Sequence, residues 1–287
     1  MRRILLLTGK APGSLFCDAK EPLKQSRPEN IRWFVAVCIA CQIFGAFASA
    51  QNSVQQAPTK DPQAVAALNA TLAAMGGQAA FGAIQDVTVS GQSQSSDQSA
   101  PADQFVWKSI GMSVRHEYSM PDGTHTSSVS QGKGQSKDPS GKISTIDSRA
   151  SLTIFPYHMP GSVLLSLLNS ADRSLSLVSD PTDDGNLIHL RSVQQLPQPL
   201  LGPITRQDWY IDPASGLPVR VSFYLPDLKS QRLDGTATIV FTNWQTAASI
   251  QVPQSMQLFY DGVLQDTITL GSPTFNQGLS ASVFRLQ

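Results

Sequence analysis

From residue 86 onward apolar residues recur at every second position, and this period constrains the fold more than any other sequence feature. Residues 217–225 alternate apolar with more polar side chains, so one face of the segment is apolar and the other is hydrated. Asp-Gly between alternating segments is the strongest short-range hairpin signal. The chain contains four such pairs, at Asp122-Gly123, Asp184-Gly185, Asp234-Gly235 and Asp261-Gly262. We therefore predict an antiparallel meander that is strongly curved.

The strands of this meander can be placed from the same alternation. The predicted strand segments are 86–92, 103–110, 113–120, 124–130, 143–147, 173–179, 186–194, 204–212, 217–225, 235–243, 254–260 and 263–270. The polar segments 93–102 and 131–142 are rich in Ser, Gln or Gly, so we expect both to be flexible loops.

Two helices are predicted in addition to the strands. The first begins at an Asp61 cap followed by Pro62 and ends at Gly76-Gly77, with an apolar stripe between them. A short helical turn is expected at 78–84. The second main helix lies within 157–169 and interrupts the meander. A lone apolar helix needs a surface to pack on, and the concave side of the sheet provides it. The predicted fold class is α+β, mainly β.

The first fifty residues resemble a secretory signal. An apolar stretch from Trp33 to Ala50 follows Arg27 and Arg32 and ends in small side chains at Ala48 and Ala50. This pattern predicts cleavage after Ala50, although the stretch is also near the lower length limit for an uncleaved anchor. The expected organisation is a signal peptide with an extended n-region at 1–50, a flexible leader at 51–60 and a single domain at 61–287. We expect the protein to be periplasmic or secreted, and not integral to the membrane after cleavage.

Charge and cysteine content narrow the function classes. The chain carries 21 basic and 21 acidic residues, of which seven and three lie in the first fifty residues, so the remainder has a net charge of −4. This balance argues against a nucleic-acid binder. All three cysteines also lie in the first fifty residues, so the exported part cannot be a disulfide scaffold.

No catalytic or metal-ligating pattern stands out in the sequence. The four histidines lack metal-site spacing, and the exported part has one glutamate, Glu117. We expect no cofactor, no metal and no enzymatic activity. An enzymatic interpretation would require His116, Asp147 or Asp208 to converge in one pocket. The remaining evidence on function comes from apolar side chains. Tryptophans and tyrosines on the predicted strands either fill a core or surround a cavity that accepts acyl chains, and both interpretations are compatible with the sequence.

Three segments resemble a known family. Residues 67–91 resemble the amino-terminal entry of LolA-like proteins, and 275–284 resemble their carboxy-terminal segment. Residues 208–224 are similar to their strand–turn–strand signature. The matching residues are Trp209, Asp212, Gly216, Leu217, Pro218 and Arg220. The resemblance, to the LolA-like and RseB-like superfamily of periplasmic lipoprotein carriers and sensors, implies a half-open β-barrel with a helical lid that binds acyl chains on its concave face.

We therefore expect an exported carrier or sensor that binds a lipid or lipoprotein acyl chain noncovalently. The residues expected to line its site are Trp107, Val163, Leu164, Leu167, Leu168, Phe223, Phe241 and Leu258. The alternative is an envelope-stress or protein-interaction module with a filled core, which binds another envelope protein through an exposed strand edge or the 131–142 segment.

Overall fold

The computed structural model describes residues 58–97, 101–179, 186–198, 201–225 and 235–287. The predicted signal peptide with Ala48 and Ala50, the leader up to residue 57, the Asp184-Gly185 pair and Asp234 lie outside the described residues. No helix in the described part of the chain combines the length and the hydropathy needed to span a membrane.

Among the described residues, one pair of α-helices precedes the first strand and another lies between the sixth and seventh strands. The helices are α1 (Pro62–Ala74), α2 (Gln78–Gly82), α3 (Ser148–Ser151) and α4 (Pro160–Asn169). The strands are β1 (Val87–Ser95), β2 (Asp103–Ile110), β3 (Ser113–Met120), β4 (Gly123–Ser130), β5 (Lys133–Lys137), β6 (Ile143–Ile146), β7 (Arg173–Leu177), β8 (Ile188–Gln194), β9 (Gln207–Ile211), β10 (Pro218–Tyr224), β11 (Thr236–Ala247), β12 (Ile250–Tyr260), β13 (Val263–Leu270) and β14 (Thr274–Phe275). In the described residues, short 3₁₀ helices lie at Pro203–Thr205 and Ala281–Phe284.

All strands belong to one sheet, and its order explains the position of the helices. The order is β6-β5-β4-β3-β2-β1-β13-β12-β11-β10-β9-β8-β7, with β14 beside β1, and every pairing between these strands is antiparallel. Consecutive strands β6 and β7 therefore form opposite ends of the sheet. The chain between them, which contains α3 and α4, must cross the sheet from one edge to the other.

The sheet is curved around this crossing segment. Trp107 on β2 and Trp209 on β9 are six strand spacings apart, which would be about 29 Å in a flat sheet. Yet the adjacent residues Tyr157 and His158 contact both: the His158 ring centroid lies 5.5 Å from that of Trp107, and the Tyr157 centroid lies 6.3 Å from that of Trp209. Only a sheet bent around the crossing segment allows these contacts. The expected curved half-barrel, with its N-terminal helix and inserted lid helix on the concave face, is confirmed.

Helix α1 forms where the sequence signals predict it. The Asp61 carboxylate accepts a hydrogen bond from the Gln63 amide, and the helix buries Leu68 and Leu72 in the core. The helix ends at Ala74, and the turn after it contains Gly76, whose φ of 119° is unfavourable for any other residue. A Cβ atom at this position would lie 2.4 Å from the Ser249 carbonyl oxygen, so the turn after α1 fits closely against the β11–β12 hairpin.

The carboxy-terminal segment is attached to the sheet mainly through Asp86, at the start of β1. Its carboxylate accepts hydrogen bonds from the amides of Gln277, Gly278 and Leu279 at 2.8, 2.8 and 3.0 Å. Farther along, Arg115 Nη1 donates to the Val283 carbonyl at 2.8 Å. These contacts give a physical role to the 275–284 segment, which the sequence singled out.

The structure corrects several details of the prediction. Residues 133–137 of the expected 131–142 loop form β5, which pairs with β4 and β6. The first strand extends to Ser95, into the expected 93–102 loop, and the short helix α3 was not predicted. The last residues of the expected leader also pair with the sheet, since Lys60 forms a parallel bridge with Leu175 on β7.

Candidate ligand site on the inner face of the sheet

The residues expected to line a cavity lie together on the inner face, but they are packed against one another. Seven of the eight are buried and belong to one core cluster, while Leu168 is half-buried against it. The buried seven are Trp107, Val163, Leu164, Leu167, Phe223, Phe241 and Leu258. The sheet and the helix stripe therefore meet as expected, and α4 occupies the space that a ligand would need.

A groove opens beside α4. Its volume is about 260 Å³, and it lies between the end of α2, residues 84–87, the β2–β3 turn and the solvent side of α4. None of the eight expected residues lines this groove. Ser109, one of the residues that line the groove, is buried and lies with its hydroxyl 3.5 Å from Nε2 of the buried His158.

Few contacts hold α4 in place besides its apolar face. Its first turn has no side-chain cap, and Gly161 lies directly under the ring of Phe81 from α2. At the other end, Lys60 Nζ donates a hydrogen bond to the Leu168 carbonyl, which would otherwise be one of the unpaired carbonyls of the last helical turn. The helix is thus fixed at its two ends by Phe81 and Lys60.

A row of aromatic rings lies beneath the segment that precedes α4. Tyr157 stacks on Phe223 with 4.7 Å between centroids, and Trp209 stacks on Phe241 at 6.1 Å. Phe155 contacts Tyr157 at 5.9 Å. The rings of Trp209, Phe223 and Phe241 form an apolar surface across β9, β10 and β11, which an acyl chain could contact once Tyr157 and the rest of the segment above it moved.

A second aromatic group lies on β2 and β3. Trp107 stacks on Phe105 at 4.2 Å and lies 4.9 Å from His116 and 5.5 Å from His158. Burial lowers the pKa of His158 to about 3, with a smaller contribution from the neighbouring His116. Burial likewise lowers the pKa of the half-buried His116 to about 4. Both rings are therefore neutral near pH 7, which suits an apolar interior.

Polar side chains that the sequence analysis missed lie on the same inner face at the β7–β9 end. Arg173, Ser192 and Gln207 are 5%, 1% and 1% exposed. Among the described residues, Arg173 Nη1, Ser192 Oγ and Gln207 Nε2 have no hydrogen-bond partner. For Arg173 the sequence contains a usable signal. Arg173 and Leu175 are two residues apart on β7, so their side chains point to the same, inner face of the sheet.

The residues considered for an enzymatic site do not converge. Asp208 lies on the outer face of the sheet, where it pairs with His189 at 2.8 Å. Asp147 caps α3 and pairs with Arg149, and His116 packs against Trp107. In the parts of the chain that the structure describes, no group of three or more His, Cys, Asp or Glu residues is placed to hold a metal ion.

Solved structures with the same fold are found among bacterial proteins. A domain named as an outer membrane lipoprotein-sorting protein from Vibrio parahaemolyticus is 15% identical, with a TM-score of 0.52 over 78% of this chain and 96% of that one. A DUF1329 family protein from Desulfovibrio piger is 12% identical, with a TM-score of 0.50 over 78% and 99%. A LolA superfamily protein from Nitrosomonas europaea is 12% identical, with a TM-score of 0.48 over 77% and 97%.

These likenesses establish the fold that the resemblance implied, and at these identities they establish the fold alone. No protein-family model matches the chain, and no curated protein matches it in sequence.

Proposed function

We propose that this protein is an exported carrier or sensor that binds one acyl chain of a lipid or lipoprotein noncovalently on the inner face of its sheet. In this proposal α4 and the segment before it form a lid, which moves to expose the row of aromatic and aliphatic side chains beneath. The lipoprotein-sorting domain with the same fold supports the choice of ligand class.

The observation that carries this proposal is the edge-to-edge crossing of the chain between β6 and β7. Because α4 forms no backbone pairing with any strand, it can leave the inner face without breaking a strand pairing. Burial of an acyl chain gains about 0.8 kcal/mol per methylene. A dozen methylenes would therefore exceed the few kcal/mol that separate closed and open states of typical two-state proteins.

Native mass spectrometry of the protein purified from its own envelope tests the proposal directly, because a bound lipid adds a defined mass. Titration with a fluorescent fatty acid gives a second readout. Leu164→Trp overpacks the buried face of α4 and destabilises the closed position of the lid, so we expect tighter probe binding. Val263→Trp, at a position that is 62% exposed, is the matched control. Absence of lipid, together with an unchanged titration for Leu164→Trp, would overturn the proposal.

One observation favours the alternative of a protein-interaction module. The expected lining residues fill the interior themselves, and the edge strand β6 presents exposed residues at 143–145. An exposed edge can pair with a strand from another protein. If native mass spectrometry finds a bound protein and no lipid, this second function takes the place of the first.

Export itself is a separate part of the proposal, since the N-terminal segment lies outside the described residues. Amino-terminal sequencing of the purified protein should begin at Gln51. Recovery of the chain with its first fifty residues in the membrane fraction would instead favour an uncleaved anchor.

A further inference from the structure

Three inward-facing donors lie next to each other at the β7–β9 end of the inner face. Ser192 on β8 pairs with Gln207 on β9, and Ser192 pairs with Leu175 on β7. Arg173 precedes Leu175 by two residues on the same face, so it is diagonal to Ser192. Directly opposite residues have Cβ atoms about 5 Å apart and diagonal ones about 7–8 Å apart. The three side chains therefore surround one small region.

The charge of Arg173 is not neutralised by direct contact with a carboxylate in the described part of the chain. Its Nη2 donates to Gln194 Oε1 at 3.2 Å, and Gln194 Nε2 in turn donates to Asp172 Oδ2 at 2.7 Å. Its guanidinium lies 5.3 Å from the ring centre of Phe155. Burial lowers the pKa of Arg173, but an arginine remains charged in proteins. Buried charges are normally paired, so an unpaired one indicates a missing partner.

The chemistry of the free atoms specifies that partner. Arg173 Nη1 and Gln207 Nε2 are donors only, and the Ser192 hydroxyl can also donate. A cluster of donors with a positive charge matches a group that only accepts hydrogen bonds, such as a carboxylate or a phosphate. Phe155 and Tyr157 cover this cluster: the Phe155 ring contacts the guanidinium of Arg173, and Tyr157 contacts Phe155. Both residues belong to the segment that would move with α4.

We infer that Arg173, Ser192 and Gln207 form the head-group site of an anionic amphiphile whose acyl chain lies along the neighbouring rings of Trp209, Phe223 and Phe241. This inference rests on the proposed function and makes it more specific. The site takes a carboxylate or a phosphate at the β7–β9 end, and the apolar tail extends from there toward β11. A neutral lipid of the same length would leave the charge of Arg173 unpaired.

The test compares three ligands that share one tail: hexadecanoate, hexadecyl phosphate and hexadecanol. Each is titrated against a bound fluorescent fatty-acid probe on protein obtained by expression of the full chain. We expect at least one anionic ligand to bind tenfold or more tightly than hexadecanol. The preferred anion then shows whether the head group is a carboxylate or a phosphate. Arg173→Met should reduce this preference to less than threefold, and Arg285→Met, at an exposed position, should leave it unchanged.

The preference is a ratio measured within one variant, so partial loss of folded protein does not alter it. Gln207→Met, which keeps the arginine, should reduce the ratio by a smaller factor and provides a second measurement if Arg173→Met does not fold. A thermal melt adds an independent readout. Arg173→Met should raise the Tm of the empty protein, because it replaces an unpaired buried charge by an apolar chain, whereas a structural arginine would give a lower Tm.

The possible failures are distinguishable. If none of the three hexadecyl compounds displaces the probe, the proposed function fails and the head-group site fails with it. If hexadecanol binds as tightly as both anions, or if the anion preference survives Arg173→Met, the head-group site is wrong and acyl-chain binding stands.

Discussion

The ring of Phe81 lies against Gly161, the second residue of α4, so closely that a Cβ atom at this position would be 2.1 Å from the ring carbon Cζ. Gly161→Ala therefore forces α4 and α2 apart. We expect a destabilisation of about 1–3 kcal/mol, the usual range for an overpacked core. Chemical denaturation measures this change, and if α4 is a lid, the fluorescent probe should also bind faster.

Phe81→Ala provides the control for this prediction. It is destabilising on its own, because Phe81 is buried. In the Phe81→Ala background, however, Gly161→Ala should have almost no additional effect, since the obstructing ring is absent. Equal effects of Gly161→Ala in both backgrounds would show that the contact does not position α4.

Lys60 should influence α4 specifically, because its ammonium group donates to the Leu168 carbonyl in the last turn of the helix. Lys60→Met removes this bond and should destabilise the helix end by about 1 kcal/mol. Hydrogen exchange followed by mass spectrometry should show faster exchange in residues 160–169 and unchanged exchange in 62–74. Lys142→Met, at an exposed position, is the control, and a uniform increase across both helices would contradict the prediction.

Stability should fall as the pH decreases below 6.5 because of His158. Its pKa is lowered to about 3 by burial, so the folded state does not take up the proton that the unfolded state binds below its ordinary value of 6.5. This loss of stability is absent above pH 6.5 and grows by about 1.4 kcal/mol per pH unit below it, until the pKa of the folded state is reached. Carboxylates titrate below pH 5, so the informative window is pH 6.5 to 5.

His158→Phe removes one of the two histidines whose pKa is lowered, and it should reduce the dependence of Tm on pH in this window by about half, because His116, whose pKa is lowered to about 4, contributes the remainder. The phenyl ring can keep the contact with Trp107, which lies 5.5 Å from the imidazole. His125→Phe replaces a histidine on β4, beside Asp122, and serves as the comparison variant. A slope that is the same in the wild type and His158→Phe would mean that another group is responsible.

Asp86 should attach the carboxy-terminal segment, because its two oxygens accept three backbone amides. Asp86→Asn places an amide group where acceptors are needed, and it should lower the free energy of unfolding by about 2 kcal/mol or more. Limited proteolysis should then cleave within residues 276–287. Asp212→Asn alters a similar carboxylate in an exposed turn and should have a smaller effect, without new cleavage at the terminus.

The local parts of the fold were predictable from the sequence because their signals are local. Asp122-Gly123 and Asp261-Gly262 lie at the β3–β4 and β12–β13 hairpins, and the predicted bounds of β2, β3 and β13 agree with the structure. Strand β5 was missed because the sequence from Lys133 to Lys137 has no apolar residue. Its inward position is Gly134, where a Cβ atom would lie 2.7 Å from Ile146.

The interior of the site was predictable only in part. The apolar stripe of α4 and the strand alternation placed the eight expected residues in one cluster. That these side chains fill the space between them depends on the curvature of the sheet, which arises from contacts such as Tyr157 with Trp209 that are distant in sequence. Arg173 was missed because a polar residue on a strand is normally assigned to the hydrated face. That Arg173 points inward can be inferred only when Leu175, two residues later, is known to be buried.

The crossing between β6 and β7 is attached to both margins of the sheet, so a displacement of its lid segment pulls on both of them. We expect a bulky guest in the interior to push the two margins apart and to flatten the backbone between them. Loading would then be transmitted mechanically to the opposite side of the molecule. A receptor that reads this change of shape could distinguish full from empty protein without contacting the cargo.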